Sequence, residues 1–198
     1  MKQFSNETGF TLIELMVVIA IIAVLSAVVA PQVFRQIAKA RVSSTVGFYN
    51  SVKIAATAYY ADTGQWPPGC GIGVGGPCNT LPDPNGTFIN PGTNPAWDGH
   101  YLDRWPDTTP FGGGYGWANS PNNWYCNGGG GGCPSVDERF LILGGNTIPR
   151  TEAEKIDITI DGVLNGAAGL VRKCCPEAGP WIDNISMFIL ISRDGPVD

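Results

Sequence analysis

The hydrophobic pattern changes twice along the chain and predicts three regions. From Phe10 to Ala30 there are 21 residues with no Lys or Arg and a single acidic residue, Glu14. At about 1.5 Å rise per residue, a helix of this length reaches roughly 30 Å, which is enough to cross a bilayer. The pattern therefore predicts a membrane-spanning helix over residues 10–31.

Beyond Pro31 the apolar positions recur every three to five residues, which is typical of an amphipathic helix with one face on a folded domain. These positions are Phe34, Ile37, Val42, Val46, Tyr49, Val52, Ala56 and Tyr59. We expect this second helical region, residues 32–63, to end near Gly64, which can take the left-handed capping conformation. Pro31 removes one backbone hydrogen bond and is predicted to bend the helix.

Residues 64–198 predict a loop-rich head, so the expected fold class is α+β, with the long helix packed against a small antiparallel sheet. Residues 64–135 hold most of the glycine and proline and predict a long loop, whose many aromatic residues indicate that it is ordered and packs onto the helix. Within residues 136–198, strands are predicted at 140–143, where the following glycines end the strand, and at 170–172 and 185–192. Thr151 and Glu154 predict a capping box that opens a short helix through about Ile160.

The start of the chain carries a motif with a known parallel. Residues 9–15 read GFTLIEL, follow a short polar segment and precede Pro31. This arrangement resembles the class III signal of type IV pilins and type II secretion pseudopilins. The resemblance implies that residues 1–9 are a leader, that a prepilin peptidase cuts between Gly9 and Phe10, and that the new amino group of Phe10 is methylated.

Glu14 is an unusual residue for a membrane helix, because a carboxylate in hydrocarbon costs at least about 2.5 kcal/mol on insertion scales. The resemblance implies that Glu14 pairs with the amino group of Phe10 of a neighbouring subunit during assembly. It also implies that Pro31 closes the apolar filament-core segment. The alternative interpretation is an acid that reaches the nearby membrane interface.

A second resemblance lies in the predicted loop. Residues 97–113 contain Tyr101-Leu102, Pro106 and a proline-aromatic-glycine turn at 110–112, and resemble a segment of the major type II secretion pseudopilins. Residues 59–67 resemble the helix exit of those proteins. The interpretation is therefore a filament subunit of a type II secretion pseudopilus, with a surface type IV pilus for adhesion, motility or DNA uptake as the alternative.

These resemblances imply a set of partners and a location. The partners are other copies of the chain, minor pilins or pseudopilins, the prepilin peptidase and an inner-membrane assembly platform. The expected location is the inner membrane with the head in the periplasm before assembly, and then a periplasmic pseudopilus or a cell-surface filament. A minor, tip-located binding module that uses the aromatic loop is a further hypothesis.

Composition limits the remaining functions. A net charge of −5 and a pI near 4.8 argue against a nucleic-acid-binding surface, so no nucleic-acid partner is expected. Cysteine in an exported, loop-rich head indicates disulfides. The candidates are Cys70, Cys78, Cys126, Cys133, Cys174 and Cys175. Pairing within 70–78 and within 126–133 leaves the last two, and the alternative joins one of these to position 126 or 133, among the 15 pairings that six cysteines allow.

The sequence offers little for a metal or a catalytic centre. There is no C-x-x-C pair for zinc, and His100 is the single histidine. Major pseudopilins commonly bind calcium, for which Asp157, Asp161 and Asn165 are weak candidates, although a turn explains Asp161-Gly162 equally well. No cofactor is therefore expected, with calcium left open. No nucleophile or metal-hydrolase motif accompanies His100, so an enzyme is not expected and a membrane-anchored enzyme is the weakest hypothesis.

Overall fold

The computed structural model describes residues 10–69, 88–89, 91, 95–120, 137–164, 169–173 and 185–194. The helices and strands in this part of the chain are α1 (Leu12–Thr63), β1 (Tyr115–Ser120), β2 (Asp137–Ile148), α2 (Arg150–Asp161), β3 (Val171–Lys173) and β4 (Ile185–Asp194). The four strands form one antiparallel sheet in the order β1-β2-β4-β3. The chain divides into two compact units, Met1–Ala40 and Arg41–Asp198, and α1 enters both. The α+β fold class predicted from the sequence is confirmed.

The end of α1 and most of its buried face agree with the prediction. Gly64 takes a left-handed conformation with φ of 69°, and its N–H donates to the carbonyl of Tyr60 at 2.9 Å. The buried residues of α1 are Val42, Thr45, Tyr49, Val52, Ala55, Ala56 and Tyr59. The predicted apolar face is therefore correct from Val42 onward, whereas Phe34 and Ile37 are exposed.

One core joins the buried face of α1 to one face of the sheet. Alternate residues of β2 and β4, such as Leu141, Leu143 and Ile189, enter this core, as expected for strands with one face packed on a helix. Ile156 of α2 belongs to the same core. The hydroxyl of Tyr49 donates to the carbonyl of Leu190 at 3.2 Å, which fixes the helix to β4.

The described part of the aromatic loop also packs into this core, as the sequence predicts. Phe88, Leu102 and Trp105 are buried there. The ring of Trp105 meets Phe48 of α1 edge-on, with centroids 5.4 Å apart, and stacks with Phe88 at 5.7 Å. The loop is thus held by the helix through aromatic contacts.

The prediction of loop through residue 135 is wrong for residues 115–120, which form β1. This strand pairs with β2, and its Trp117 is fully buried. The indole N–H of Trp117 donates to the carbonyl of Pro67 at 2.9 Å, so β1 also holds the segment that leaves α1.

The predicted end at Gly144-Gly145 of the strand over residues 140–143 is wrong, because this strand is β2 and continues to Ile148. The glycines allow two backbone segments to approach closely, since a Cβ on Gly113 would overlap the carbonyl oxygen of Gly144. The N–H of Gly144 donates to the carbonyl of Gly114 at 3.0 Å. The pairing of β2 with β4 is shifted between Leu143 and Ile148. Here the glycines accompany an irregularity in the pairing and do not terminate the strand.

Helix α2 is confirmed, but its predicted capping box is wrong. The N-cap residue is Pro149, which has no side-chain oxygen to accept from the helix amides. Thr151 donates instead to Glu152 at 2.6 Å, and Glu154 pairs with Arg150 at 2.7 Å. The helix begins one residue before the predicted cap, which places Thr151 inside its first turn.

The disulfide predictions concern residues that lie outside the described part of the chain. All six cysteines, from Cys70 to Cys175, belong to that group. Their pairing stays a prediction.

Candidate functional site

The first half of α1 presents an apolar surface around its whole circumference. Every large apolar side chain from Leu12 to Val29 is 53–75% exposed. By length and composition, this is a helix able to span a membrane. An apolar helix that is exposed on all sides needs lipid or other apolar helices around it, because contact between this much apolar surface and water is unfavourable.

Glu14 lies in the first turn of this helix and forms a reciprocal cap with Thr11. The amide and the hydroxyl of Thr11 donate to one carboxylate oxygen of Glu14 at 2.9 and 2.7 Å. The amide of Glu14 donates in return to the Thr11 hydroxyl at 3.3 Å. This is a capping box, in which a threonine at the helix start and a glutamate three residues later satisfy each other's backbone donors.

The cap gives the acid a defined position in an apolar segment. It holds the Glu14 carboxylate at the amino-terminal end of the helix, where the helix dipole favours negative charge. Phe10 directly precedes the cap and is 89% exposed. The sequence prediction identified Glu14 but missed Thr11, although the T-x-x-E spacing is present at residues 11–14.

The other predicted site residues are dispersed. Gly9 and Asn165 lie outside the described residues. Pro31 lies inside α1, which runs through it without interruption. The leader, the cleavage point and the methylation site stay predictions.

The two described calcium candidates belong to α2. Asp157 is fully buried in the core-facing side of the helix. Both carboxylate oxygens of Asp161 accept from the amide of Leu170, at 3.0 and 3.1 Å, and one also accepts from Val171 at 3.1 Å. Among the described residues, no group of three or more His, Cys, Asp or Glu side chains is arranged to hold a metal ion. Asp161 therefore joins the end of α2 to the start of β3, and calcium binding stays untested.

The segment that resembles pseudopilins is packed beside the end of α1. The hydroxyl of Tyr101 donates to Asp62 of α1 at 2.8 Å, and its ring lies 5.3 Å from that of Tyr59. Burial raises the pKa of Tyr101, to which the neighbouring Asp62 charge also contributes. His100 is exposed and meets Trp97 edge-on, with ring centroids 5.5 Å apart. The segment thus forms an ordered surface at the helix exit.

Comparisons with known proteins match these features. A family model described as the prokaryotic N-terminal methylation motif matches residues 4–30, and one described as PilW, C-terminal, matches residues 36–128. The type IV major pilin protein PilE1 of Neisseria gonorrhoeae is 41% identical over 75 residues, which cover 38% of this chain and 35% of that protein. These matches support the pilin family with the class III signal.

Other pilin relatives include both functional classes considered above. Fimbrial protein EcpC of Eikenella corrodens is 43% identical over 61 residues, or 31% of this chain and 40% of that protein. Type II secretion system core protein G of Pseudomonas aeruginosa is 37% identical over 65 residues, or 33% of this chain and 46% of that protein. The chain thus spans less than half the length of each of these three relatives. The structure of the major type IV pilin PilA1 from Clostridium difficile covers 79% of this chain and 97% of that one, with 19% identity and a TM-score of 0.43.

Proposed function

We propose that this pilin is a structural filament subunit that is held in a membrane by residues 10–31 and polymerises with other copies through α1. The observation that carries the proposal is the apolar first half of α1, which is exposed around its whole circumference and needs apolar neighbours on every side. Lipid supplies them before assembly, and other copies of the same helix supply them in a filament.

The capping box defines the part that Glu14 plays in this proposal. Before assembly, the two donors of Thr11 satisfy the carboxylate within the apolar segment. During assembly, the amino group of Phe10 of a neighbouring copy, exposed by prepilin peptidase and then methylated, becomes the partner of this carboxylate. The Glu14 carboxylate thus has a polar partner both in the membrane and in the filament. This lowers the free-energy cost of moving the subunit from one to the other.

For the class of filament, we propose a type II secretion pseudopilus, whose growth would push exported proteins outward. The matches to the pilin PilE1 and to core protein G are similar in length and identity, so they do not discriminate between the two classes of filament. The resemblance of residues 97–113 to pseudopilins favours the pseudopilus, and these residues form a packed segment through Tyr101 and Trp105. In this proposal the subunit stays in the envelope, with its head in the periplasm and an assembly platform in the inner membrane.

A surface type IV pilus is the second candidate. It is favoured by the number of relatives that are named pilins or fimbrial proteins, such as PilE1 and EcpC. In that case the same subunit would reach the cell surface.

The test is amino-terminal and intact mass spectrometry of the chain from a sheared cell-surface fraction and from the envelope of native cells. A chain that starts at methylated Phe10 and stays in the envelope supports the pseudopilus, whereas abundance in the sheared fraction supports the surface pilus. Retention of residues 1–9 in cells with an active prepilin peptidase contradicts both.

Variants at Glu14 test the mechanism of assembly. Glu14→Ala and Glu14→Lys are expected to be cleaved normally and to yield few filaments, because the partner of the Phe10 amino group is missing. Normal filament yield in both variants removes the proposed pairing.

A further inference from the structure

The unit Arg41–Asp198 exposes two groups of large apolar side chains that its own core does not use. The described residues of this unit with such side chains exposed are Ile54, Tyr60, Ile158, Val163, Leu164 and Leu170. Tyr60 stacks on Trp66 with ring centroids 4.7 Å apart. This leaves Ile54 on α1 as one group and the residues around the end of α2 and the start of β3 as the other.

Ile54 is 71% exposed on the side of α1 opposite its buried face. The buried residues Val52, Ala55 and Ala56 flank it in sequence, so the helix turns Ile54 away from the sheet. Lys53 precedes it and is also exposed. Together Lys53 and Ile54 form an apolar projection with an adjacent cation, which we name the α1 knob.

The second group surrounds an open hollow of about 490 Å³. Its lining consists of Ile160, Asp161, Val163, Gly169, Leu170 and Leu190. Val163 is 61% exposed and Leu170 is 37% exposed, so the walls are apolar surface in contact with water. A site for a small molecule would enclose most of its ligand, which this open hollow does not do.

The hollow has one charged group, Asp161, which is opposite in sign to Lys53. Its carboxylate is fixed by the amides of Leu170 and Val171 and is partly exposed. A fixed carboxylate at the edge of an apolar hollow suits an apolar side chain that is followed or preceded by an ammonium group. The α1 knob has this chemistry.

We propose that the α1 knob of one copy of this chain docks in the α2–β3 hollow of the next, with Ile54 on the apolar walls and Lys53 paired with Asp161. This proposal rests on the proposed function, because it assigns a contact within the filament. The knob and the hollow are different surfaces of one subunit. A contact between different surfaces is heterologous, and repeating it produces an open helical array rather than a closed dimer.

The test is zero-length carbodiimide crosslinking of filaments assembled from a mixture of isotopically heavy and light full-length chains. The expected product is an amide bond between Lys53 and Asp161 that joins a heavy peptide to a light peptide. Lys53→Arg is the matched control, because it retains the positive charge but removes the reactive amine. This variant should assemble and lose that crosslink.

A second measurement examines Ile54 without a crosslinker. Ile54→Asp should reduce filament yield at least several-fold, whereas Ile54→Leu should retain it. Both should leave thermal unfolding of the detergent-solubilised chain unchanged, since Ile54 is exposed in the single subunit.

The outcomes separate this proposal from the proposed function. Filaments in which Lys53 is unlinked, linked within one chain or linked to another carboxylate overturn the docking contact alone. A native chain that forms no filament overturns the proposed function and this contact with it.

Discussion

Thr11 and Glu14 cap the same helix end reciprocally: the Thr11 hydroxyl donates to the Glu14 carboxylate at 2.7 Å, and the Glu14 amide donates to that hydroxyl at 3.3 Å. The pair therefore holds a carboxylate at the amino-terminal end of an otherwise apolar segment. This geometry makes Thr11 a positioning residue for Glu14 in the proposed assembly step.

Thr11→Val is expected to lower filament yield while leaving cleavage before Phe10 intact. The substitution keeps the shape of the side chain but removes the hydroxyl, and loss of such a cap costs about 0.5–2 kcal/mol. The measurement is the ratio of filament to membrane-bound chain by quantitative mass spectrometry. Thr11→Ser restores the hydroxyl and should assemble like the native chain, and equal yields for the Val and Ser variants would contradict the role of the cap.

Tyr49→Phe tests the bond between α1 and β4. Below pH 10 the variant should be less stable by about 0.5–1.5 kcal/mol, because the Leu190 carbonyl loses its donor. The measurement is denaturant unfolding of the full chain in detergent. Tyr60→Phe, at a side chain that is 43% exposed, provides the control and should change stability little.

Tyr49 should also make the unfolding free energy of the native chain depend on pH. Burial, and to a smaller extent the charge of Asp161, raises the pKa of Tyr49 above its usual value. The neutral phenol is therefore favoured in the folded chain, and its contribution is complete below about pH 10 and is lost as the pH rises through the higher folded pKa. As the pH rises above 10, the unfolding free energy of the native chain should fall more steeply than that of Tyr49→Phe. Parallel curves would contradict this coupling.

Gly169→Ala should destabilise the head by about 1–3 kcal/mol. Gly169 has φ of 98°, and a Cβ there would overlap the Asp161 carboxylate that joins α2 to β3. Gly47→Ala is the matched control, because it lies in α1 with open space around its Cβ, and it should stabilise the chain by up to about 1 kcal/mol. Thermal unfolding in detergent measures both, and a Gly169→Ala chain as stable as the native one would rule out the overlap.

Glu138 and Arg172 should show energetic coupling. One guanidinium nitrogen of Arg172 contacts both Glu138 carboxylate oxygens at 3.1 and 3.3 Å. The side chain of Glu138 is only 11% exposed and that of Arg172 only 23%. Glu138→Gln should cost about 1–3 kcal/mol because it removes a charged partner. In a double-mutant cycle with Arg172→Met, the combined loss should be smaller than the sum of the single losses. Additive losses would show that the pair is not coupled.

The parts of the fold that depend on local chemistry could be predicted from the sequence. Helix α1 follows from its apolar run, its periodic face and the stop at Gly64. Strand β1 could not be predicted, because residues 115–120 lack an alternating pattern and become a strand by pairing with a distant segment that buries Trp117. Non-local pairing of this kind leaves little trace in a short stretch of sequence.

The candidate site shows the same limit on a smaller scale. Glu14 was recognisable because an acid in an apolar run is costly. The T-x-x-E spacing at 151–154 predicts a cap where the structure has Pro149, whereas the cap forms at the equal spacing of residues 11–14. A motif of two residues specifies a cap only when the helix begins directly after the first of them, as α1 does after Thr11.

The bond from Trp117 to the Pro67 carbonyl has a mechanical consequence. A pull along α1 would load its contacts with the sheet in shear, so that many aromatic contacts and hydrogen bonds must fail together before the head detaches. Because Trp117 holds the chain just after the helix, the last turn of α1 cannot peel away first. We therefore expect the head to resist tension as a single unit. The force needed to detach α1 should depend on all of its contacts with the sheet rather than on the contacts at one end of the helix.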